Sequence, residues 1–316
     1  MKKSFHKQFK KNGYVIIPNL LSSEKVKELR KYLYEIFNSN KSKRLESISL
    51  ASKKSKIYDL QLDSKIQKVC SQIFQNEYFF VNDWQIQYNM FGVGGSKKGW
   101  HVDCGSEINE NGEYLFNSNY NFGKIGIYLQ DNTYDYGGAI DIIPKSHKFF
   151  IQTGVHKLNL FLYRIANILL IKSGFKKTLK LNAGDAVIFD SRLLHRSTPP
   201  SSVNLSKAQS LAGRSKLPEH RCKYSLYWEA GNKKSVNYFM KNSERRSDIE
   251  YDILQKNNFK SEVLFNEYLS YTFPESYPSD YVKKVNDIEN LNIASVENKK
   301  LYIERMKVIN HKKNIA

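Results

Sequence analysis

A chain of 316 residues with 41 % hydrophobic and 13 % aromatic residues can bury one large core with appendages or two modest ones. No apolar run reaches the roughly eighteen residues that a membrane-spanning helix needs, and three cysteines at unrelated spacings (Cys70, Cys104, Cys222) argue against a disulfide scaffold or a CxxC zinc site. Fifty Lys and Arg against 31 Asp and Glu give a formal charge of +19, which favours anionic partners such as nucleic acid, a phospholipid surface or a carboxylated substrate, although a lysine-rich soluble surface has the same composition.

The basic start, "MKKSFHKQFKKNGY", leads into no apolar signal segment, so a cytoplasmic protein is expected. "GYVIIPNLL" reads as a short buried strand. Ser22 and Ser23 then stand as N-caps before Val26, Leu29, Leu33, Ile36 and Phe37, whose spacing is helical. "SKIQKVCSQIF" reads as a second helix. Strand patterns follow at 78–91, 123–131, 137–147, 178–190 and 220–230, rich in β-branched and aromatic residues and punctuated by Gly, Pro, Asn and Asp. Short strands flanked by helices predict a mainly β fold, a sandwich or barrel with helical decoration.

A helical insertion near 150–177 interrupts the strands. Its centre, 158–171, is apolar around most of its circumference, with a polar stripe at Asn159, Tyr163 and Asn167. Such a segment serves either as a covering helix buried on the sheet or a partner subunit, or as a contact with a membrane surface or lipidic substrate. The expected domain division is 1–230 for the β domain with this insertion and 231–316 for a charged, helical C-terminal extension packed on it.

The chemistry concentrates in two places. "GWHVDCGSE" sets His101 and Asp103 two residues apart after a glycine-rich stretch, and "GDAVIFDSRLLHRS" carries His195 beyond a Gly184-Asp185 turn. Two imidazoles and one carboxylate on one face of a metal leave adjacent positions open, the arrangement of non-haem Fe(II) oxygenases. One carboxylate only partly offsets the 2+ charge, so a bidentate co-substrate and O₂ can still bind.

The order of "NGYVIIPNLLSSEKVKELRKYL", "WHVDCGSE", "GIYLQDNTYDYGGAIDIIPKSHK", "AGDAVIFDSRLLHRS" and "RCKYSLYW" resembles the phytanoyl-CoA dioxygenase family of Fe(II)/2-oxoglutarate oxygenases across about residues 12–230. The resemblance implies a double-stranded β-helix (jelly-roll, cupin-like) core, with His101, Asp103 and His195 as iron ligands and Fe(II), 2-oxoglutarate and O₂ as cofactor and co-substrates. It also implies a basic residue that pairs with the far carboxylate of 2-oxoglutarate. Arg221 is the match, and its planar guanidinium suits a carboxylate. Arg214 is a rival, because an insertion stretches the spacing from His195 to Arg221 to 26 residues. Ser197 matches a hydroxyl that assists the same carboxylate. Gln85, Gln87 and Asn89 share a strand face and are candidates for co-substrate contact. Lys145 stands where the family has glycine, read here as a surface-turn change of little consequence. The presence of Asp103 favours hydroxylation over halogenation.

Other residues read more plainly. His147 is expected to be a structural hydrogen-bonder, and His6, His156, His220 and His311 to be exposed. Trp100 walls the site or fills the core. Lys124 and Tyr128 share a face and would meet an anionic substrate if it points inward; otherwise Lys124 is a rim lysine in solvent. The resulting expectation is hydroxylation of a small anionic or amphiphilic metabolite, such as an acyl-CoA, a lipid-linked saccharide or a natural-product intermediate. The competing readings are a nucleic-acid-binding or nucleic-acid-modifying oxygenase, disfavoured because no compact basic-aromatic patch is present, and a non-catalytic ligand-binding barrel. Oligomeric state stays open.

Overall fold

The computed structural model describes residues 4–40, 44–46, 57, 60, 63–75, 78–80, 85–90, 99–104, 112–117, 119–132, 140–149, 156–198 and 222–242. The chain begins with a helix that the sequence reading did not anticipate, α1 (Phe5–Asn12). Phe9 is fully buried and meets Phe74 edge-on at 5.5 Å. The helix ends at Gly13, whose φ of +82° is left-handed; a Cβ there would lie 2.5 Å from the His147 ring, so only glycine fits.

Strand β1 (Tyr14–Ile17) and helix α2 (Ser23–Asn40) follow as expected. The Ser22 hydroxyl accepts a hydrogen bond from the Lys25 amide and caps α2, which buries Val26, Leu29 and Leu33. After a short strand β2 (Arg44–Glu46), α3 (Ser64–Phe74) starts at Asp63, whose carboxylate accepts the Lys65 and Ile66 amides. The expected strand at 78–91 divides into β3 (Tyr78–Phe80) and β4 (Gln85–Met90). Beyond it run β5 (Phe122–Tyr128), the short β6 (Ile140–Ile142) and helix α4 (His156–Lys172). The predicted strand at 178–190 is broken by the Gly184 turn into β7 (Lys177–Leu179) and β8 (Ala186–Asp190). Then come β9 (His195–Ser197), β10 (Cys222–Asn232) and α5 (Lys233–Asn242).

Two antiparallel sheets result. The larger has the order β1-β8-β5-β10-β4-β2, with β3 also paired to β10; the smaller is β7-β6-β9. Strand alternation gives β10 two faces. Cys222, Tyr224, Leu226, Trp228 and Ala230 enter the main core with α1, α2 and α3. Lys223, Ser225, Tyr227 and Glu229 therefore point to the opposite side. On that side Tyr128, Val187 and Phe189 of the large sheet pack with Ile140, Ile142 and Leu179 of the small one, so the sheets face each other across a second apolar cluster. The β-rich fold expected from the strand pattern is present. α5 lies at the start of the expected C-terminal extension, with Val236 and Phe239 buried against Phe122 and Tyr120.

Candidate metal centre

Local geometry brings the candidate ligands together in three steps. First, Asp190 and Arg192 fold the chain after β8 into a tight turn. The buried Asp190 carboxylate accepts hydrogen bonds from the Arg192 amide, Nε and Nη2 at 2.9, 2.8 and 2.7 Å. Arg192 also donates to the Leu115 carbonyl and lies over the Tyr120 ring. Burial works against the Asp190 charge, yet Arg192 overcomes it and holds the carboxyl below its ordinary range. Second, the Ser191 carbonyl leaving this turn accepts the amides of Asp103 and Cys104 at 2.9 and 3.2 Å. Third, His101 and His195 pair as an isolated antiparallel bridge, each amide donating to the other's carbonyl at 2.9 Å.

The two imidazole rings are consequently 4.4 Å apart, centre to centre. Their tautomers follow from the backbone: His101 Nδ1 donates to the Gly99 carbonyl at 3.0 Å and His195 Nδ1 to the Leu193 carbonyl at 2.9 Å. Each ring therefore presents an Nε2 lone pair, and both point at the same atom, Asp103 Oδ1, from 3.9 and 3.8 Å. Those separations are too long for hydrogen bonds. They suit an ion between them, since ligand bonds of about 2.1 Å span such a gap. One donor atom from each of the three residues lies within 4.8 Å of the others. His195 is packed against Phe189, and burial above all lowers its pKa to about 4, so the ring is neutral and ligand-competent at neutral pH. The donor set fits a divalent first-row metal.

Lys124 completes the arrangement, on the inward side of β5. Its ammonium lies 2.9 Å from Asp103 Oδ2 and 3.3 Å from Glu229 Oε1, and the residue is buried. It is not a rim lysine in solvent. Gripping the outer oxygen of Asp103 leaves Oδ1 facing the imidazoles. Asp103, Glu229 and Lys124 sum to one negative charge, which a divalent cation offsets. The sequence reading missed Glu229; its signal is the single acid of a strand whose alternate residues, Cys222 to Ala230, are apolar. Tyr128, the other candidate for an anion, is buried and accepts a hydrogen bond from the Tyr227 hydroxyl.

A family model, Phytanoyl-CoA dioxygenase (PhyH), matches residues 9–207. The chain belongs to the phytanoyl-CoA dioxygenase family. It is an Fe(II)/2-oxoglutarate-dependent oxygenase, with His101, Asp103 and His195 as the set available to the iron among the described residues. Solved structures share the fold. EctD from S. alaskensis with bound Fe aligns with a TM-score of 0.53 at 14 % identity, covering 74 % of this chain and 78 % of that one. EctD from the same source with 2-oxoglutarate and 5-hydroxyectoine gives 0.52 at 13 % identity, over 74 % and 77 % of the two chains. HygX from Streptomyces hygroscopicus with nickel and 2-oxoglutarate bound gives 0.50 at 15 % identity, over 73 % and 86 %. No curated protein sequence matches the chain significantly.

The remaining candidates are placed as follows. Ser197 is half-buried on β9, two residues from His195 and so on the same strand face. Gln85 and Gln87 lie on β4 in register with Tyr227 and Ser225, and Asn89 with Lys223. Arg221 and Arg214 lie outside the described residues, as do His220 and His311. Lys223, two positions beyond Arg221, is buried on the inward face of β10, and burial lowers its pKa to about 7. His147 is structural, its Nε2 donating to the Lys10 carbonyl at 3.0 Å. His6 is not solvent-exposed as expected: it is half-buried, with Nδ1 donating to the Ile73 carbonyl. Trp100 is not core; Arg196, itself paired with Asp141, lies 4.8 Å over its ring. Lys145 has a φ of +70°, so the residue in place of the family's glycine occupies a conformation that a side chain disfavours.

Proposed function

We propose that the protein hydroxylates a C–H bond of a small anionic or amphiphilic metabolite, an acyl-CoA, a lipid-linked saccharide or a natural-product intermediate. The observation that carries the reading is the convergence of His101 Nε2 and His195 Nε2 on Asp103 Oδ1. When bound there, ferrous iron supplies the activation of O₂ that couples oxidative decarboxylation of 2-oxoglutarate, to succinate and CO₂, with insertion of one oxygen atom into the substrate.

The chain's own contribution is positional. The Gly99 and Leu193 carbonyls hold the two imidazole tautomers, and Lys124 holds the carboxylate. Arg221 pairs with the far carboxylate of 2-oxoglutarate and Ser197 assists it, a reading supported by the family pattern and by the place of Ser197 beside His195 on one strand face. Gln85 and Gln87 add polar contacts to the co-substrate, supported by their β4 register with the inward residues Tyr227 and Ser225. An anionic substrate is supported by the formal charge of +19. A cytoplasmic setting is supported by three buried, free cysteines.

The test is succinate release from 2-oxoglutarate by protein loaded with Fe(II), screened over acyl-CoAs, lipid-linked saccharides and amino-acid derivatives. One class should couple succinate to a product heavier by one oxygen atom, and Arg221→Ala should raise the KM for 2-oxoglutarate. Succinate release unchanged in His101→Ala would sink the reading.

A further inference from the structure

The seven large hydrophobic side chains that stand exposed among the described residues all lie between Phe161 and Phe175, on α4 and the turn that follows it. Phe161, Leu162, Ile168 and Leu169 are 59, 49, 53 and 61 % exposed, and Phe175 reaches 73 %. At 100° per residue, positions 161, 162, 165, 168, 169 and 171 sweep roughly half of the helix circumference. The opposite arc holds Ala166, Asn167 and Leu170, all half-buried. The helix is thus turned inside out: its apolar face looks outward while Asn167 of the polar stripe faces the protein. The sequence reading of a covering helix buried on the sheet is not met.

The segment that carries this face is basic. Between Asp141 and Asp185 the chain holds eight Lys or Arg and no Asp or Glu. Lys172 ends the helix on its outward arc, and Lys176 follows Phe175; both are exposed. Among the described residues no helix is long and apolar enough to cross a membrane. A second copy docked through the same segment would bring like charges together, since that segment holds no acid of its own. An apolar face rimmed by cations matches a surface that is apolar below and anionic above, the acyl-headgroup boundary of an acidic lipid leaflet.

We infer that α4 and Phe175 dock the protein on an anionic membrane surface, the helix lying in the plane of the interface with Lys172 and Lys176 at headgroup level. The connection to the fold is direct: α4 joins β6 to β7, and β6 pairs with the strand that begins at His195. The docking face is therefore carried by a segment that leaves and re-enters the small sheet. The inference is independent of the reaction, because vesicle binding is read without iron, 2-oxoglutarate or substrate.

The test is flotation of the full chain with vesicles of phosphatidylcholine alone and with about 30 mol % phosphatidylglycerol. The protein should float with the acidic vesicles, and added salt should weaken the association. The double variant Leu162→Ser/Leu169→Ser should reduce partitioning by about tenfold or more, and Lys172→Glu/Lys176→Glu should abolish the preference for acidic lipid. All four side chains are exposed, so unfolding midpoints should stay at the wild-type value. No flotation with acidic vesicles at low salt would overturn the inference, as would flotation that neither variant changes. A dimer in size-exclusion chromatography that Leu162→Ser/Leu169→Ser dissociates, without vesicle binding, would assign the face to a second copy.

Discussion

His101 and His195, far apart in the chain, sit directly opposite each other in a two-residue bridge and exchange both backbone hydrogen bonds at 2.9 Å. Ring placement is therefore a backbone property, fixed before any metal arrives, and each ring is further locked by its own Nδ1–carbonyl bond. Preorganisation of this kind lets a third residue, Asp103, complete the set with little rearrangement.

Loading the metal-free protein with Co(II) or Fe(II) should raise its unfolding temperature, because an ion that binds only the folded state stabilises it by about 2.7 kcal/mol at a hundredfold excess over Kd. Asp103→Ala and His195→Ala should lose that shift, and calorimetric metal titration should show no binding. A full shift in either variant would contradict the ligand assignment.

Lys124→Met should destabilise the metal-free protein by about 3–5 kcal/mol, since it leaves the buried Glu229 and the half-buried Asp103 carboxylates without their shared cation. Urea unfolding reads the change. A loss below about 1 kcal/mol would show that the pair behaves like a surface ion pair.

Arg192→Leu should be similarly costly, about 3–5 kcal/mol, and should also impair metal binding, because the turn it closes sets both the Ser191 carbonyl and His195. The folded pKa of Asp190 lies below its ordinary value of 3.8. Its contribution is then complete above that value and is lost only as pH falls through the lower folded one. The wild-type urea midpoint should show no Asp190-linked decline until pH drops below about 4.

Lys223 gives the opposite dependence. Its pKa falls from 10.5 to about 7 on folding, so between those values the unfolded chain holds a proton that the folded one lacks. Stability from this group should rise with pH across that window, by at most about 1.4 kcal/mol per unit. Lys223→Met should flatten the slope between about pH 7 and 9 and raise the midpoint most at the lower end. Urea midpoints across that range decide it.

Lys145→Gly should stabilise the fold by about 0.5–1 kcal/mol, because relief of the left-handed φ of +70° exceeds the added freedom of glycine in the unfolded chain. Thermal unfolding reads the gain. A lower midpoint would place the Lys145 side chain in a contact worth more than the strain.

Local chemistry made much of the molecule readable in one dimension. Capping serines and helical spacing announce α2, the Gly184-Asp185 pair announces the break before β8, and the His-x-Asp spacing with a distal histidine announces the three side chains that converge. These are short-range signals, carried by side chains within a few residues of each other or by a period of two or 3.6. Three features needed the folded chain. The bridge between His101 and His195 depends on a turn stapled by Asp190 and Arg192, two residues with nothing unusual in their spacing. The role of Lys124 depends on Asp103 and Glu229, which come from opposite directions along the chain. β5 is buried on both faces, so no alternation betrayed which side the lysine took. The orientation of α4 was undecidable for the same reason: a helix apolar around most of its girth has no hydrophobic direction of its own. Only the rest of the fold chose which arc to cover and which to leave facing outward.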